Sequence, residues 1–295
     1  MVAELPEPAR LSLAGTLAQW RQWSTPAPLT AAPRYQRLLA NGQSNHSVLV
    51  ATGDTRFVVR IDGVDPRRLG LNRAAEWRAQ QQASARHLAP APRYFNPELG
   101  SLVSDYLPPE TVVEGERAPE PVARLLRAIH RLPPLRHRLD LRSRLQRYER
   151  FLPAGQAAEP RWQSSRDRVL AVLAELEAAP GQRVLCHNDL LASNRLQSGG
   201  NLWAIDWEYC AMGSPWFDLA VVVEGDGLDA DQVTRLLATY LEREPRSMET
   251  SRLPLSGCVY RCLELLWYGV QAPQDPHGWG RRLTGLQARV AAVTD

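Results

Sequence analysis

The sequence predicts an α+β protein with a strand-rich first third and a mostly helical remainder. Two observations carry this. Around a Gly53-Asp54 turn, Ser47-Val-Leu-Val-Ala51 and Arg56 to Ile61 read as the two strands of a hairpin. After Pro109 the apolar residues recur instead at helical spacing, most clearly in PVARLLRAIHRL, residues 121–132. The change of period sets a boundary near Asp105 to Pro109, and so a division into 1–105 and 106–295. A chain of 295 residues, 44% hydrophobic and 23% charged, has the length and composition of one large or two modest globular domains.

In order, Pro8 to Trp23 reads as a helix, with Leu11, Leu13, Leu17 and Trp20 recurring on one face. The hairpin follows, then a helix over Asn72 to Leu88 and a short strand over Leu102 to Tyr106, stopped by Leu107-Pro108-Pro109. Beyond the boundary come helices over Pro121 to Leu132, Leu141 to Leu152 and Trp162 to Ala178. Arg183 to Cys186 and Leu202 to Ile205 read as short buried strands flanking a loop. The remainder is helical: Phe217 to Val223, Asp229 to Glu242 with Asp229 as its N-cap, Pro254 to Val270, and Arg281 to Val293.

Composition excludes some chemistry. All 35 basic residues are arginine. Without lysine the chain has neither a Walker A loop nor a Schiff-base centre. A net charge of +3 from interspersed charges shows no nucleic-acid stripe. Cys186, Cys210, Cys258 and Cys262 form no CxxC pair, and the spacing of the last two suits one helix face; four reduced thiols are expected. The N-terminus has no signal-peptide pattern and no apolar run is long enough to span a membrane, so a cytoplasmic protein is expected. Gly225-Asp-Gly227-Leu-Asp-Ala230 matches a dinucleotide fingerprint, but Glu224, Asp226, Asp229 and Asp231 around it would repel a pyrophosphate.

The densest chemical signal is VLCHNDLLASNRLQSGGNLWAIDWEYCAMGSPWFD, residues 184–218. Phosphoryl transfer to a hydroxyl needs a carboxylate at the attacking oxygen and hard oxygen ligands for Mg²⁺. Asp189 supplies the first, as acceptor or orienter of the hydroxyl proton. Asn194, five residues on, and Asp206, after the next strand, supply the second. Asp and Asn also make turns in ordinary loops.

These residues resemble a known family. His187-Asn188-Asp189 with Asn194, and Ile205-Asp206-Trp207-Glu208-Tyr209 followed by Phe217-Asp218-Leu219-Ala220, are similar to the catalytic and metal-binding segments of the choline kinase branch of the aminoglycoside phosphotransferase and choline kinase superfamily. The wording is nearest to bacterial choline kinases and thiamine kinases, and the resemblance runs from about Asn41 to Ala220. It implies a two-lobed protein-kinase-like fold, with a small β-rich N-lobe and a larger, mostly helical C-lobe. It also implies ATP and Mg²⁺ as cofactors, and a small cationic alcohol as substrate: choline or ethanolamine first, thiamine next. An aminoglycoside kinase and a catalytically dead kinase-like binding protein are the remaining alternatives. A protein kinase is disfavoured, since no DFG or APE segment is present.

On the same resemblance, Gly42-Gln43-Ser44-Asn45-His46 matches the family's phosphate loop, with Ser44 and Asn45 facing phosphate. Arg60 takes the place of the protein-kinase lysine, where a guanidinium binds phosphate oxygens in pairs. Glu76, in Asn72-Arg73-Ala-Ala-Glu76, would hold Arg60. Ser104 and Tyr106 lie in the hinge segment whose backbone would meet the adenine. For a cationic acceptor, π faces and carboxylates are needed; Glu208, Tyr209 and Trp267 are the candidates beside Asp189. His187 is expected to brace the loop, His130 to pack, and Asp218 to anchor the loop backbone or cap a helix. Oligomeric state is not legible.

Overall fold

The computed structural model describes residues 5–41, 44–110, 118–179 and 181–294. The chain divides into two compact units, one of residues 1–111 with 196–208, the other of residues 112–195 with 209–295.

The first unit opens with α1 (Glu7–Ala18) and a 3₁₀ turn at Trp20–Gln22. Strands β1 (Arg34–Asn41), β2 (Asn45–Thr52) and β3 (Thr55–Asp62) follow, then α2 (Pro66–Leu69) and α3 (Arg73–Ser84), then β4 (Pro92–Asn96) and β5 (Ser101–Asp105). The strands form one antiparallel sheet in the order β1-β2-β3-β5-β4. Thr52 and Thr55 pair across the hairpin, and Gly53 (φ +55°) supplies the left-handed residue of its turn. Along β3 the side chains alternate. Phe57, Val59 and Ile61 enter a core with Val48, Val50, Val103, Leu13 of α1 and Trp23. Arg60, one residue out of phase, therefore stands on the opposite face, toward α3. At the end of β3 the Gly63 N–H donates to Ser44 O at 2.8 Å. A Cβ on Gly63 would lie 3.0 Å from that oxygen, so the close approach needs glycine.

The strand β4 escapes the sequence reading because Pro90 and Pro92 look like breakers. Pro92 is accommodated because β4 is an edge strand, where one ladder donor can be missing. Residues 196–208 add the hairpin of β7 (Arg195–Ser198) and β8 (Asn201–Ala204). It is tied into the unit by Ala204 N–H to Leu88 O at 2.8 Å, Glu110 N–H to Gln197 O at 2.8 Å and Ser198 Oγ to Pro108 O at 2.7 Å.

The second unit is helical: α4 (Pro119–His130), α5 (Leu141–Glu149), α6 (Ala154–Ala157), α7 (Pro160–Ala178), α8 (Pro215–Asp226), α9 (Ala230–Leu241), α10 (Ser247–Gln271) and α11 (Pro276–Thr294). Its small sheet pairs β6 (Val184–Cys186) with β9 (Ala211–Gly213), antiparallel. The two strands expected to flank one loop are thus partners of other strands, β6 of β9 and β8 of β7. Helix α10 is the central element, packed against α5, α7, α8 and α11. It begins seven residues before Pro254, the residue expected to start it; the proline sits inside the helix without a donor for the carbonyl one turn back. Asp229 caps α9 as expected, its carboxylate accepting from Gln232 N–H at 2.8 Å while the Gln232 side chain accepts from Asp229 N–H at 3.0 Å. The G-x-G match falls at the end of α8, where Gly227 (φ +64°) is a left-handed C-cap. Among the described residues, no helix is long and apolar enough to cross a membrane.

Candidate active site

In the first unit the sequence-predicted side chains form one buried ionic network. Asn72 caps α3, its Oδ1 accepting from Ala75 N–H at 3.0 Å, and this starts the helix so that Arg73 and Glu76 lie on one face. Arg60 grips Glu76 with both terminal nitrogens; Nη2 donates to Oε2 at 3.0 Å and Nη1 to Oε1. Nη1 also donates to Asp206 Oδ1 at 3.1 Å. Arg73 donates to Glu76 Oε2 at 2.8 Å, to Glu208 Oε2 at 3.0 Å and to Asp62 Oδ1 at 2.5 Å. Asn45 Nδ2 donates to Glu208 Oε2 at 2.9 Å.

Two guanidinia thus face four carboxylates, an excess of two negative charges. The consequences differ by position. Burial pushes Glu76 upward, but Arg60 and Arg73 outweigh it and hold Glu76 below the usual carboxylate range. Burial raises Asp206, and the nearby Glu76 charge adds to the rise against the pull of Arg60. Burial and then the Asp206 charge raise Glu208. The side chain of Asp206 is 31% exposed, against 1–12% for the other three carboxylates. Asp206 is also held at φ +59°, a left-handed conformation that Asp tolerates better than most residues. The buried Trp207 follows it, donating Nε1–H to Ala204 O at 3.0 Å. Hard oxygen donors with surplus negative charge, and one carboxylate turned outward, fit a divalent cation. Arg60 Nε is buried with no hydrogen-bond partner, a donor that fits a phosphate oxygen.

Glu208, expected at the acceptor, has its carboxylate buried against Arg73 and Asn45. Ser44 precedes β2 as expected, whereas Asn45 is already the first residue of that strand, paired with Asp62; Gly42 and Gln43 lie outside the described residues. Ser104 is on β5, paired with Val58, and the Tyr106 N–H donates to Arg56 O at 3.2 Å. Neither joins the network. The sequence reading gave Arg73 and Asp62 no role; the i,i+3 spacing of Arg73 and Glu76 was the available signal for the first.

In the second unit β6 delivers His187-Asn188-Asp189. Two successive backbone donors are captured by one carboxylate: His187 N–H donates to Asp218 Oδ2 at 2.8 Å and Asn188 N–H to Oδ1 at 2.7 Å. His130 Nε2 donates to Asp218 Oδ2 at 3.0 Å, and its Nδ1 is hydrogen-bonded to the Tyr240 hydroxyl at 2.8 Å. His130, expected only to pack, is hydrogen-bonded at both nitrogens. Burial raises Asp218, but the hydrogen bond from His130 and the two histidines' proximity hold it below its ordinary range. Asn188 sits at φ +64° and donates Nδ2–H to Tyr209 O at 3.0 Å. The turn it makes is followed by Asp189, whose main-chain O and Oδ2 each accept from Asn194 Nδ2 at 2.8 Å. With its amide nitrogen so used, Asn194 keeps its side-chain carbonyl as an oxygen donor.

Toward α10, the Trp267 Nε1–H donates to the Tyr209 hydroxyl at 2.9 Å, and Trp267 meets Tyr268 edge-on at 4.9 Å. Tyr260, Glu264, Trp267 and Tyr268 recur at one-turn intervals along α10. Burial, then the charges of Glu264 and Asp189, raise the Tyr260 phenol. Among the described residues one group of three potential metal ligands clusters, His130, Cys186 and Asp218. Asp218 is already committed to three hydrogen bonds, and burial, with the Asp218 charge, keeps Cys186 protonated, so the donor set does not suit an ion.

Residues 36–250 match the family described as the phosphotransferase enzyme family. Protein LicA of Haemophilus influenzae is 30% identical over 123 residues, 39% of this chain and 45% of that protein; the match thus spans under half of the curated relative. The fold is similar to choline kinase LicA from Streptococcus pneumoniae (TM-score 0.77, 20% identity, 96% of this chain and 99% of that one). It is also similar to a LicA structure in complex with AMP (TM-score 0.73, 22% identity, 88% and 94%). The fold class is that of the two-lobed kinase-like phosphotransferases, with a five-stranded antiparallel sheet before a larger helical part.

Proposed function

The chain belongs to the phosphotransferase enzyme family, and on that premise we propose that it transfers the γ-phosphate of ATP to the hydroxyl of a small cationic alcohol, choline or ethanolamine. The observation that carries the reading is the loop in which Asn194 is hydrogen-bonded to Asp189 while Asp218 holds the backbone just before it. Choice of nucleotide rests on the AMP complex of the similar LicA structure and on the unpartnered Arg60 Nε. Choice of acceptor rests on the similar choline kinase and on the half-buried aromatic side chains of Tyr209 and Trp267.

In this reading Asp189 orients the acceptor hydroxyl and takes its proton as the new oxygen–phosphorus bond forms. The bond from the γ-phosphorus to the bridging oxygen breaks, and ADP leaves. Arg60, fixed by Glu76, presents its guanidinium to phosphate oxygens. Asn194 and Asp206 would hold Mg²⁺, which supplies neutralisation of the phosphate charge. Asp218 and Asn188 act by position only, setting the backbone that carries Asp189. Coupled ADP release with Mg-ATP and separate choline, ethanolamine, thiamine and aminoglycoside acceptors tests the proposal. Saturable turnover on choline or ethanolamine, lost in Asp189→Ala, is expected. Turnover confined to an aminoglycoside would refute the acceptor class, and ATP binding without turnover on any of the four would refute it equally.

A further inference from the structure

Two of the aromatic side chains proposed to face an acceptor cation, Tyr209 and Tyr268, already carry cations of the chain itself. The Arg144 guanidinium, on α5, lies 5.5 Å from the centroid of the Tyr209 ring and 5.9 Å from that of Tyr148. Arg282, on α11, lies 3.5 Å from the centroid of Tyr268. Tyr209 is the ring that joins the catalytic loop to α10, through Asn188 Nδ2 at its carbonyl and Trp267 Nε1 at its hydroxyl. The charge on Arg144 is felt locally: burial, and then Arg144, lower the neighbouring His137. The rings of Tyr209, Trp267 and Tyr268 are all half-buried, as are both arginines.

A π face attracts one cation at a time, and a guanidinium competes there with an ammonium for the same ring quadrupole. We propose that Arg144 is a resident cation on the acceptor's aromatic wall and determines acceptor specificity, because a cationic alcohol must displace it from Tyr209 to bind. The inference rests on the acceptor class proposed above. It has a chemical consequence. A quaternary ammonium has no N–H with which to hydrogen-bond a carboxylate, so it depends on the ring face and suffers most from the occupant. A primary ammonium keeps N–H groups that can hydrogen-bond a carboxylate, depends less on the ring face, and suffers least. Arg144 therefore biases the site against the quaternary acceptor.

The test is Arg144→Met, which keeps an unbranched apolar stem while removing the charge, with Arg144→Gln as a second variant should the first fold poorly. Steady-state kinetics with choline and with ethanolamine give the acceptor KM values, and calorimetry gives the choline Kd of the whole chain without turnover. Expected is a fall of about 2- to 30-fold in choline KM and Kd, the range a cation–π contact covers. The ethanolamine KM should change less, so that the preference moves toward choline, while the KM for ATP holds. A purely structural role for Arg144 would not move the choline-to-ethanolamine ratio. Unchanged or raised choline KM in a variant of an enzyme that uses choline overturns this inference and leaves the proposed function standing. A wild-type chain that binds ATP but phosphorylates neither alcohol removes the acceptor class, and this inference with it.

Discussion

Asp218→Asn isolates the device that fixes the His187–Asp189 loop. The native carboxylate accepts three hydrogen bonds inside the second unit, from His187 N–H at 2.8 Å, Asn188 N–H at 2.7 Å and His130 Nε2 at 3.0 Å, and it is fully buried. Asparagine is isosteric but has one oxygen. That oxygen can serve the Oδ2 position, where His187 and His130 converge. The amide nitrogen must then face the Asn188 N–H, donor against donor. One charge-assisted bond is lost, worth roughly 1.5–3 kcal/mol, and a buried donor is left unsatisfied at roughly 1–3 kcal/mol. The expected loss of stability is about 3–5 kcal/mol, as for other broken buried charge networks. Against a typical total of roughly 5–15 kcal/mol this is large, and urea unfolding followed by circular dichroism will resolve it.

The same variant carries a pH signature. Asp218 is held below its ordinary range in the folded chain, so its contribution is complete above the unfolded-state value of about 3.9 and is lost as pH falls through the folded value. The stability gap between wild type and Asp218→Asn should be constant near neutrality and close in acid. In the kinetics kcat should fall by about 10²-fold, the effect of a roughly 1 Å misplacement, with the KM for ATP little changed. An unfolding free energy within about 1 kcal/mol of wild type, well inside the bond energies summed above, would refute the reasoning.

Asp189→Asn should lower kcat by about 10²- to 10⁴-fold while ATP still binds; a wild-type kcat in the ADP-release assay would remove Asp189 as the proton acceptor. Arg60→Met should raise the KM for ATP more than the KM for the acceptor, and an unchanged KM for ATP would take Arg60 out of the nucleotide's site. Asp206→Asn removes one of the two surplus charges of the ionic network. Because burial and neighbouring negative charge hold Asp206 above its ordinary range, the sign runs toward stabilisation: melting in chelator should rise by roughly 2 °C, as about 1 kcal/mol does in a chain of this length, while activity is lost. A fall in the melting temperature would show that the Arg60 contact outweighs the repulsion.

Legibility followed the range of the forces involved. Elements with a strong local signal were readable: β2 and β3 from their alternation, α4 from its apolar stripe, α9 from its Asp229 cap. Elements held by pairing with distant residues were not. β9 is three residues long and exists because Ala211–Gly213 finds β6 some 25 residues earlier, whereas the four-residue β7 was passed over although it pairs locally with β8 across Gly199-Gly200. The proline rule misplaced the start of α10: the residues before Pro254 are not buried until Leu253, and the helix is started locally by Glu249, whose carboxylate accepts from Arg246 N–H at 2.8 Å. Of the site, the residue types were legible and their partners were not. Glu76 as the partner of Arg60 came from a motif and the i,i+3 spacing to Glu76 was a signal for Arg73, whereas Asp62 enters, and Asn45 finds Glu208, through contacts that no spacing reveals.

The ionic network explains why a chain without lysine can place an arginine at this strand position. A lysine ammonium has three donors and meets one carboxylate well; it would leave Asp206 and Glu76 competing for one point charge. The Arg60 fork spends Nη2 and Nη1 on Glu76, shares Nη1 with Asp206, and still has Nε–H unspent. Arg73 then absorbs Glu208 and Asp62. The outcome is a division of labour among four carboxylates. Glu76, Glu208 and Asp62 are held by guanidinia, while Asp206 is the most exposed of the four and the one the chain bends into a left-handed conformation. The surplus charge is therefore borne most openly at a single oxygen pair, and a divalent cation is the ligand whose charge matches the deficit of the network as a whole.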